Sequence, residues 1–160
     1  MKQQGMEPRP AAPSDAEALS ALHTAAFEDG WSEQDFVTWL SRRQGFAIAA
    51  FREREAVAFG LALEAGDDAE LLTIAVAQTE RRAGLGRKIF EALDAEANKR
   101  SLRRWVLEVR HNNLAAVSLY KSLGFVEISV RKAYYRTSEG LADALVLVRA
   151  VGVAGRHIAP

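Results

Sequence analysis

The chain contains no cysteine. That absence excludes a disulfide framework, a thiolate-based zinc site and a covalent cysteine intermediate. An excess of charge of one sign is missing too: Lys plus Arg and Asp plus Glu number 21 each in 160 residues. No overall field therefore favours nucleic acid or an anionic membrane. Long apolar runs are lacking, and stretches such as Phe46–Phe51 are too short to span a bilayer. The first thirteen residues are polar, hold Pro8, Pro10 and Pro13, and have no apolar centre of the secretory kind. His23, His111 and His157 show no metal-ligand spacing, so no metal is expected. The expectation is a cytoplasmic protein with no membrane and no direct nucleic-acid partner, as a monomer or weak dimer.

What is present is ordinary for a soluble globular protein: 49% apolar and 26% charged residues, in a length that suits one core. Residues 1–13 read as an irregular segment or an edge strand, 14–150 as a single domain and 151–160 as a flexible tail. Ser14, with Glu17 three residues on, has capping-box spacing before a helix carrying Leu19, Leu22 and Ala26 on one face. Ser32 and Asp35 open a second helix in the same way, with Phe36, Trp39 and Leu40 sharing a face.

Strand-like runs follow at Phe46–Phe51, Ala56–Leu63 and Leu71–Ala77, joined by links short enough for antiparallel neighbours. A polar loop, Gln78–Gly86, precedes a helix that reaches about Arg100. Trp105, Leu107 and Val109 then alternate with Val106, Glu108 and Arg110, the period of a strand. Asn112 or Asn113 can cap a further helix to Leu123, Gly124 suits its left-handed end, and Phe125 can close the last turn. Two strands, about Val126–Ala133 and Asp143–Arg149, complete the order α-α-β-β-β-α-β-α-β-β, a mixed α/β or α+β domain.

The loop before the central helix is the first feature that points to chemistry. Gly84 and Gly86 let a ligand approach the backbone, and the N–H groups of the helix's first turn favour an anion. Arg81, Arg82, Arg87 and Lys88 add positive charge, so a pyrophosphate is a natural guest. Neither a Walker motif nor a dinucleotide fingerprint is present. A plain basic turn remains the alternative.

Arg81-Arg-Ala-Gly84-Leu-Gly86 matches the R/Q-x-x-G-x-G/A motif of the GNAT superfamily of N-acetyltransferases. About twenty residues on, the block from Leu107 to Phe125 resembles one branch closely: the RimI-type ribosomal-protein-alanine N-acetyltransferases, themselves similar to eukaryotic N-terminal acetyltransferase subunits. Trp31-Ser-Glu33, Arg131-Lys-Ala-Tyr-Tyr-Arg136 and Asp143-Ala144 extend the resemblance, which runs from about Phe27 to Val148. Two positions depart from the usual pattern: Ala77-Gln78 stands where an acidic residue or His and then Pro is common, and His111 where a small residue is typical.

The resemblance implies a mixed, mostly antiparallel central sheet flanked by about four helices, and acetyl-CoA as co-substrate. Ile74, Ala75 and Val76 would pair with its pantetheine arm. Arg82, Ala83, Gly84, Leu85, Gly86 and Arg87 would cradle its pyrophosphate, and Asn113 would bond it from the next helix. Glu108 corresponds to the proton acceptor and Tyr120 to the proton donor. Tyr134 and Tyr135 would lie in a loop of the acceptor groove, with Trp31 and the helix after it as the opposite wall. The implied acceptor is the N-terminal alanine of a small-subunit ribosomal protein with a basic tail, for which Glu64, Asp67, Asp68 and Glu70 would offer an acidic rim.

From spacing alone, Glu108 is equally a surface partner of Arg110, Tyr120 a core aromatic, Asn113 only a cap and the tyrosine doublet a strand end. The chemistry suits the assigned roles. An α-amine, with a pKa of about 7.7–8, is deprotonated near pH 7 at a cost of about 1 kcal/mol, against about 4–5 for lysine. Another protein N-terminus, a lysine or a small amine is the alternative acceptor, and a non-catalytic acyl-CoA-binding module is the alternative of another class.

Overall fold

The central runs are apolar at successive positions, which suits strands covered on both faces. The computed structural model describes residues 6–137 and 139–152. Residues 1–5 and 153–160, including His157, lie outside the described residues. Strands β1 (Arg9–Pro10), β2 (Gly45–Arg52), β3 (Glu55–Ala65), β4 (Asp68–Val76), β5 (Arg104–Arg110), β6 (Val126–Thr137) and β7 (Gly140–Ala150) form one sheet, ordered β1-β2-β3-β4-β5-β7-β6. All neighbours are antiparallel except β4 and β5, which are parallel. Helices α1 (Ala16–Ala26), α2 (Glu33–Ser41), α3 (Leu85–Lys99) and α4 (Leu114–Ser122) cover the two faces, as expected for a mixed α/β fold of this kind. No described helix is long and apolar enough to cross a membrane.

Each face has its own core. Leu19, Leu22 and Phe36 of α1 and α2 pack on Ala47, Ala49, Phe59, Leu61 and Ala75. On the other face, Ile89, Phe90, Leu93 and Ala97 of α3 meet Phe46, Ile48, Trp105 and Leu107, with Tyr120 and Phe125 closing the far end. Small residues on β2 and β3 let the helices sit close to the sheet.

The caps agree with the sequence at α2, where Asp35 N–H donates to Ser32 Oγ at 3.1 Å and Ser32 N–H to Asp35 Oδ2 at 2.9 Å. At α1 they differ. Ser14 lies inside a 3₁₀ turn, Pro13–Asp15, and is not the cap. Asp15 orders this entry instead, accepting the Ala12 N–H at 2.8 Å and pairing with Arg9 at 3.1 Å. Two prolines in four residues force an entry tighter than a capping box allows.

His23, in the last turn of α1, holds the link between α1 and α2. It is 4% exposed and ringed by Phe27, Trp31, Phe36 and Phe59. The Trp31 N–H donates to its Nδ1 at 2.9 Å, and Ser20 Oγ donates to the Trp31 carbonyl at 2.7 Å. Burial lowers the His23 pKa from its ordinary value, so the folded protein holds it neutral. The unfolded chain protonates below about 6.5, so the stability from this site is present above that pH and is lost as pH falls below it. Unfolding should therefore occur at lower temperature at pH 5.5 than at pH 7. His23→Gln, which keeps an acceptor without titrating, should flatten that slope in a thermal scan; an unchanged slope assigns it to other groups.

Asp94 on α3 organises the opposite core. It is 2% exposed and accepts from Trp105 Nε1 at 2.9 Å, Gly152 N–H at 2.9 Å and Arg149 at 3.3 Å. This ties α3 to β5, β7 and the turn after β7. Asp94→Leu strands a buried guanidinium and two N–H groups, and chemical denaturation should register a loss of about 3–5 kcal/mol.

Candidate active site

The site begins with a local irregularity. Leu61 pairs with Thr73 but Ala62 with Leu71, so Leu72 is an extra residue in β4. Such a bulge bends and twists a strand and exchanges its faces. Ala69 and Leu71 belong to the α3/α4 core before it, and Ile74 and Val76 pack on that same core after it. The parallel pairing of β4 and β5 covers only Asp68–Arg104, Ala69–Trp105 and Glu70–Val106. Beyond those pairs β4 continues to Val76 and β5 to Arg110, each without the other, which leaves a gap with an unpaired β4 edge along Leu71–Val76.

The glycine loop lies at the open end of this gap. It contains a 3₁₀ turn, Gln78–Glu80, whose Glu80 is paired with Arg52 of β2. Arg82 and Gly84 have φ of 70° and 76°, and α3 starts at Leu85, two residues earlier than a loop to Gly86 implies. No side chain caps α3. Its first-turn bond from Lys88 N–H to the Gly84 carbonyl at 3.1 Å leaves the N–H groups of Leu85, Gly86 and Arg87 ahead of the helical ladder. Arg87 donates to the Ser122 carbonyl at 3.3 Å and to Ser122 Oγ at 3.2 Å, fastening α3 to the end of α4. Arg81 Nε reaches the Val76 carbonyl at 3.4 Å. A Cβ on Gly86 would lie 3.5 Å from Val76 Cγ2 and 3.7 Å from Leu119 Cδ2, so β4, α3 and α4 converge there.

Local sequence fixes α4 at both ends. Asn113 Oδ1 accepts the Ala116 N–H at 3.2 Å, so its oxygen is a cap and only its amide donor remains for a ligand. At the other end Phe125 N–H bonds the Tyr120 carbonyl and Gly124 N–H the Lys121 carbonyl, both at 3.0 Å, with Gly124 at φ 95°. This is a Schellman closure, and Phe125 packs edge-on against Tyr120 with centroids 5.8 Å apart. Tyr120 is 7% exposed, yet its hydroxyl has no hydrogen-bond partner among the described residues. Burial first, and then the nearby Tyr135, push its pKa far above the usual phenol range. The phenol therefore stays neutral and able to donate.

Glu108 alternates with Leu107 and Val109 on β5, so it faces away from the core that holds Tyr120. Its partner is not Arg110, the neighbour two residues on, but Arg131 of β6, at 3.2 Å across the intervening β7. The Arg131 guanidinium also sits over the Tyr134 ring, 5.1 Å from its centroid. Tyr134 and Tyr135 are part of strand β6 and not of a loop. Between Arg131, opposite Ala144, and Tyr135, opposite Ala142, three residues face Asp143 alone. Ala133 takes φ 51° there, and Asp143 holds the excursion by accepting the Ala133 N–H at 2.8 Å and Lys132 Nζ at 3.4 Å. The chain thus bulges without leaving the sheet. Tyr135 is half-buried, and its pKa is raised by burial, then by the charge of Glu108 and by Tyr134, with Arg110 and Arg131 acting the other way.

Glu108, Tyr135 and Arg131 are therefore gathered together, with Tyr120 close enough to Tyr135 to sense its charge. Trp31 is not part of that group: its ring contacts are His23, Phe36 and Trp39. The expected acidic rim also lies elsewhere. Asp68 begins β4, roughly 25 Å along the strand from Val76 at about 3.3 Å per residue. There Glu64 pairs with Arg100 at 2.9 Å and Asp68 with Arg104 at 3.1 Å, so these acids serve the opposite end of the sheet. Arg131 and Asp143, present in the recognised blocks, had no assigned role; their spacing across the β6–β7 hairpin was the available signal.

Residues 16–125 match the family model described as the Acetyltransferase (GNAT) family, and the chain belongs to that family. Within it, the chain is 36% identical over 135 residues to the ribosomal protein bS18-alanine N-acetyltransferase of Escherichia coli (strain K12), covering 84% of this chain and 90% of that protein. The crystal structure of the ribosomal-protein-S18-alanine N-acetyltransferase from Escherichia coli superposes with a TM-score of 0.81 at 31% identity, over 96% of this chain and 99% of that one. Arabidopsis thaliana NAA60 in complex with acetyl-CoA shares the fold, with a TM-score of 0.79 at 20% identity over 90% and 97% of the two chains.

Two glycines separate folding from ligand binding. Gly84→Ala places a side chain at φ 76° in otherwise open space and should cost about 1–2 kcal/mol in denaturant unfolding. Gly86→Ala meets only ordinary contacts within the chain. It should leave stability within about 0.5 kcal/mol of the parent while weakening acetyl-CoA in a binding titration; undiminished binding would place the ligand away from this turn.

Proposed function

We propose that this protein transfers the acetyl group of acetyl-CoA to the N-terminal alanine of a small-subunit ribosomal protein in the cytoplasm, with residues 14–150 acting as one domain. The observation that carries the reading is the parting of β4 and β5. Tyr120 lies on one face of the sheet and Glu108 on the other, and a substrate that meets both would pass through that gap.

Acetyl-CoA supplies a thioester, whose C–S bond breaks as the amine nitrogen forms the new C–N bond. The unpaired edge at Ile74, Ala75 and Val76 suits an extended amide-bearing arm, which a parallel strand would otherwise pair. The uncapped start of α3, with Arg82, Ala83, Gly84, Leu85, Gly86 and Arg87, suits a pyrophosphate, and the Asn113 amide is the donor left on α4. Glu108 takes the amine proton, directly or through water. Tyr120, kept neutral by burial, donates a hydrogen bond toward the departing sulfur. A tyrosine with so high a pKa is a poor proton source, so the bond strengthens as charge builds on sulfur without early transfer. Tyr134 and Tyr135 flank the amine end, and Trp31, anchored by His23, orders the α1–α2 side of the acceptor path. The similarity to the bS18-alanine enzyme supports this acceptor over other amines.

Thiol release from acetyl-CoA with a hexapeptide beginning Ala-Arg, and with the same peptide blocked at its N-terminus, tests the reading. Release should require the free α-amine. Tyr120→Phe and Glu108→Gln should each lower kcat by about 10²–10⁴-fold with little change in acetyl-CoA affinity. Acetyl-CoA binding without transfer to any amine would instead describe an acyl-CoA-binding module.

A further inference from the structure

The charges around Glu108 do not balance. In antiparallel pairing, residues directly opposite one another share a face of the sheet. Arg110 of β5 and Arg131 of β6 both lie opposite Ala144 of β7, so two guanidinium side chains flank the strand beside one carboxylate. Arg131 is paired with Glu108, whereas the Arg110 side chain has no hydrogen-bond or ion-pair partner among the described residues. The charged pair beside them does not offset the surplus, and β6 adds a further cation in Arg136 along with the acid Glu127 at its far end. Lys132 and Asp143 pair with each other at 3.4 Å, and His111 holds the Asp143 carbonyl through its N–H at 3.0 Å. Tyr120 of α4 and Tyr135 of β6, whose pKa values are both raised, first by burial, are uncharged near neutral pH and add nothing to this balance.

We infer that Arg131, together with Arg110, sets acceptor specificity by charge: the amine end of the site is held net positive, so that an amine enters it only in the neutral form. The inference rests on the transferase reading above and names the class of amine it takes. At pH 7 about a tenth of an α-amine is neutral, against roughly one in two thousand lysine side chains. A site that admitted an ammonium group and then removed its proton at Glu108 would largely erase that difference. A surplus of positive charge closes this route and preserves it. The Tyr134 ring gives the Arg131 guanidinium a second contact, so it can release Glu108 to an incoming amine and remain in the site. Arg131 is thus a positioning residue that acts on the protonation of the acceptor.

The test compares the parent protein with Arg131→Gln and Arg131→Lys, using the Ala-Arg hexapeptide and an N-terminally blocked peptide with one internal lysine, from pH 6 to 9. In Arg131→Gln the acid limb of kcat for the α-amine peptide should move to higher pH by about half to one unit. The preference for the α-amine over lysine should fall by about five- to tenfold, and Arg131→Lys should restore most of both. Arg110→Gln should act in the same direction and provides a second variant. A lower kcat with unchanged pH limb and unchanged preference overturns the inference. A second readout needs no turnover. In the presence of coenzyme A, calorimetry of the hexapeptide in two buffers at pH 7 should report about one proton released per peptide bound, and less in Arg131→Gln. Absent binding, or binding without proton release, also overturns it. Proton release in a protein that transfers nothing would refute the transferase reading alone.

Discussion

Parallel strands β4 and β5 share three residue pairs and then separate, and the separation sets the place of every group around the site. A buried strand edge carries N–H and C=O groups that must find partners. The bulge at Leu72 turns β4 away from β5 while β3 keeps its other side satisfied through Val76. The consequence is an edge with strand geometry and no strand beside it. On its flanks, α3 is fastened to α4 by Arg87 and Ser122, and α4 is closed by Gly124 and Phe125. The gap is therefore framed by elements that are themselves rigidly terminated, which is what a site built to hold an extended ligand requires.

Much of this was legible in the sequence because it is local. The Ser32–Asp35 box, the Asn113 cap and the Gly124–Phe125 closure each depend on residues within one helical turn, and each forms as read. The alternation at Trp105–Arg110 likewise put Glu108 on the face opposite Leu107 and Val109. Ser14 misled because the proline beside it imposed a tighter entry than its hydroxyl could cap.

What stayed hidden depends on distant partners or on residues that look alike. Leu71 and Leu72 are chemically identical, so nothing in the run Leu71–Val76 marks which one is the extra residue. Arg110 is the natural partner of Glu108 along the strand. Arg131 becomes the partner only because β7 inserts between β5 and β6, an order that no spacing within one strand reveals. The resemblance implies a loop at Tyr134 and Tyr135; the ladder is interrupted at Lys132–Tyr134, but Asp143 supplies the bonds that keep the excursion in the sheet. His23 has no motif; its role follows from four aromatic residues, three around the α1–α2 link and Phe59 of β3, and from one backbone N–H.

The two faces of the sheet give Tyr120 and Glu108 opposite surroundings. Tyr120 lies in an apolar core that suppresses ionisation, so its hydroxyl remains a donor near neutral pH. Glu108 lies on the other face, at a partly exposed surface and paired with the Arg131 guanidinium. If both sat in one environment, one of the two would be in the wrong protonation state: burial would neutralise the acid, or an open cationic surface would expose the phenol to water. A continuous sheet would keep these environments apart and prevent any substrate from meeting both. Under the proposed mechanism, the parting of β4 and β5 is where one substrate meets both, so the same bulge that leaves backbone groups unpaired also serves the transfer.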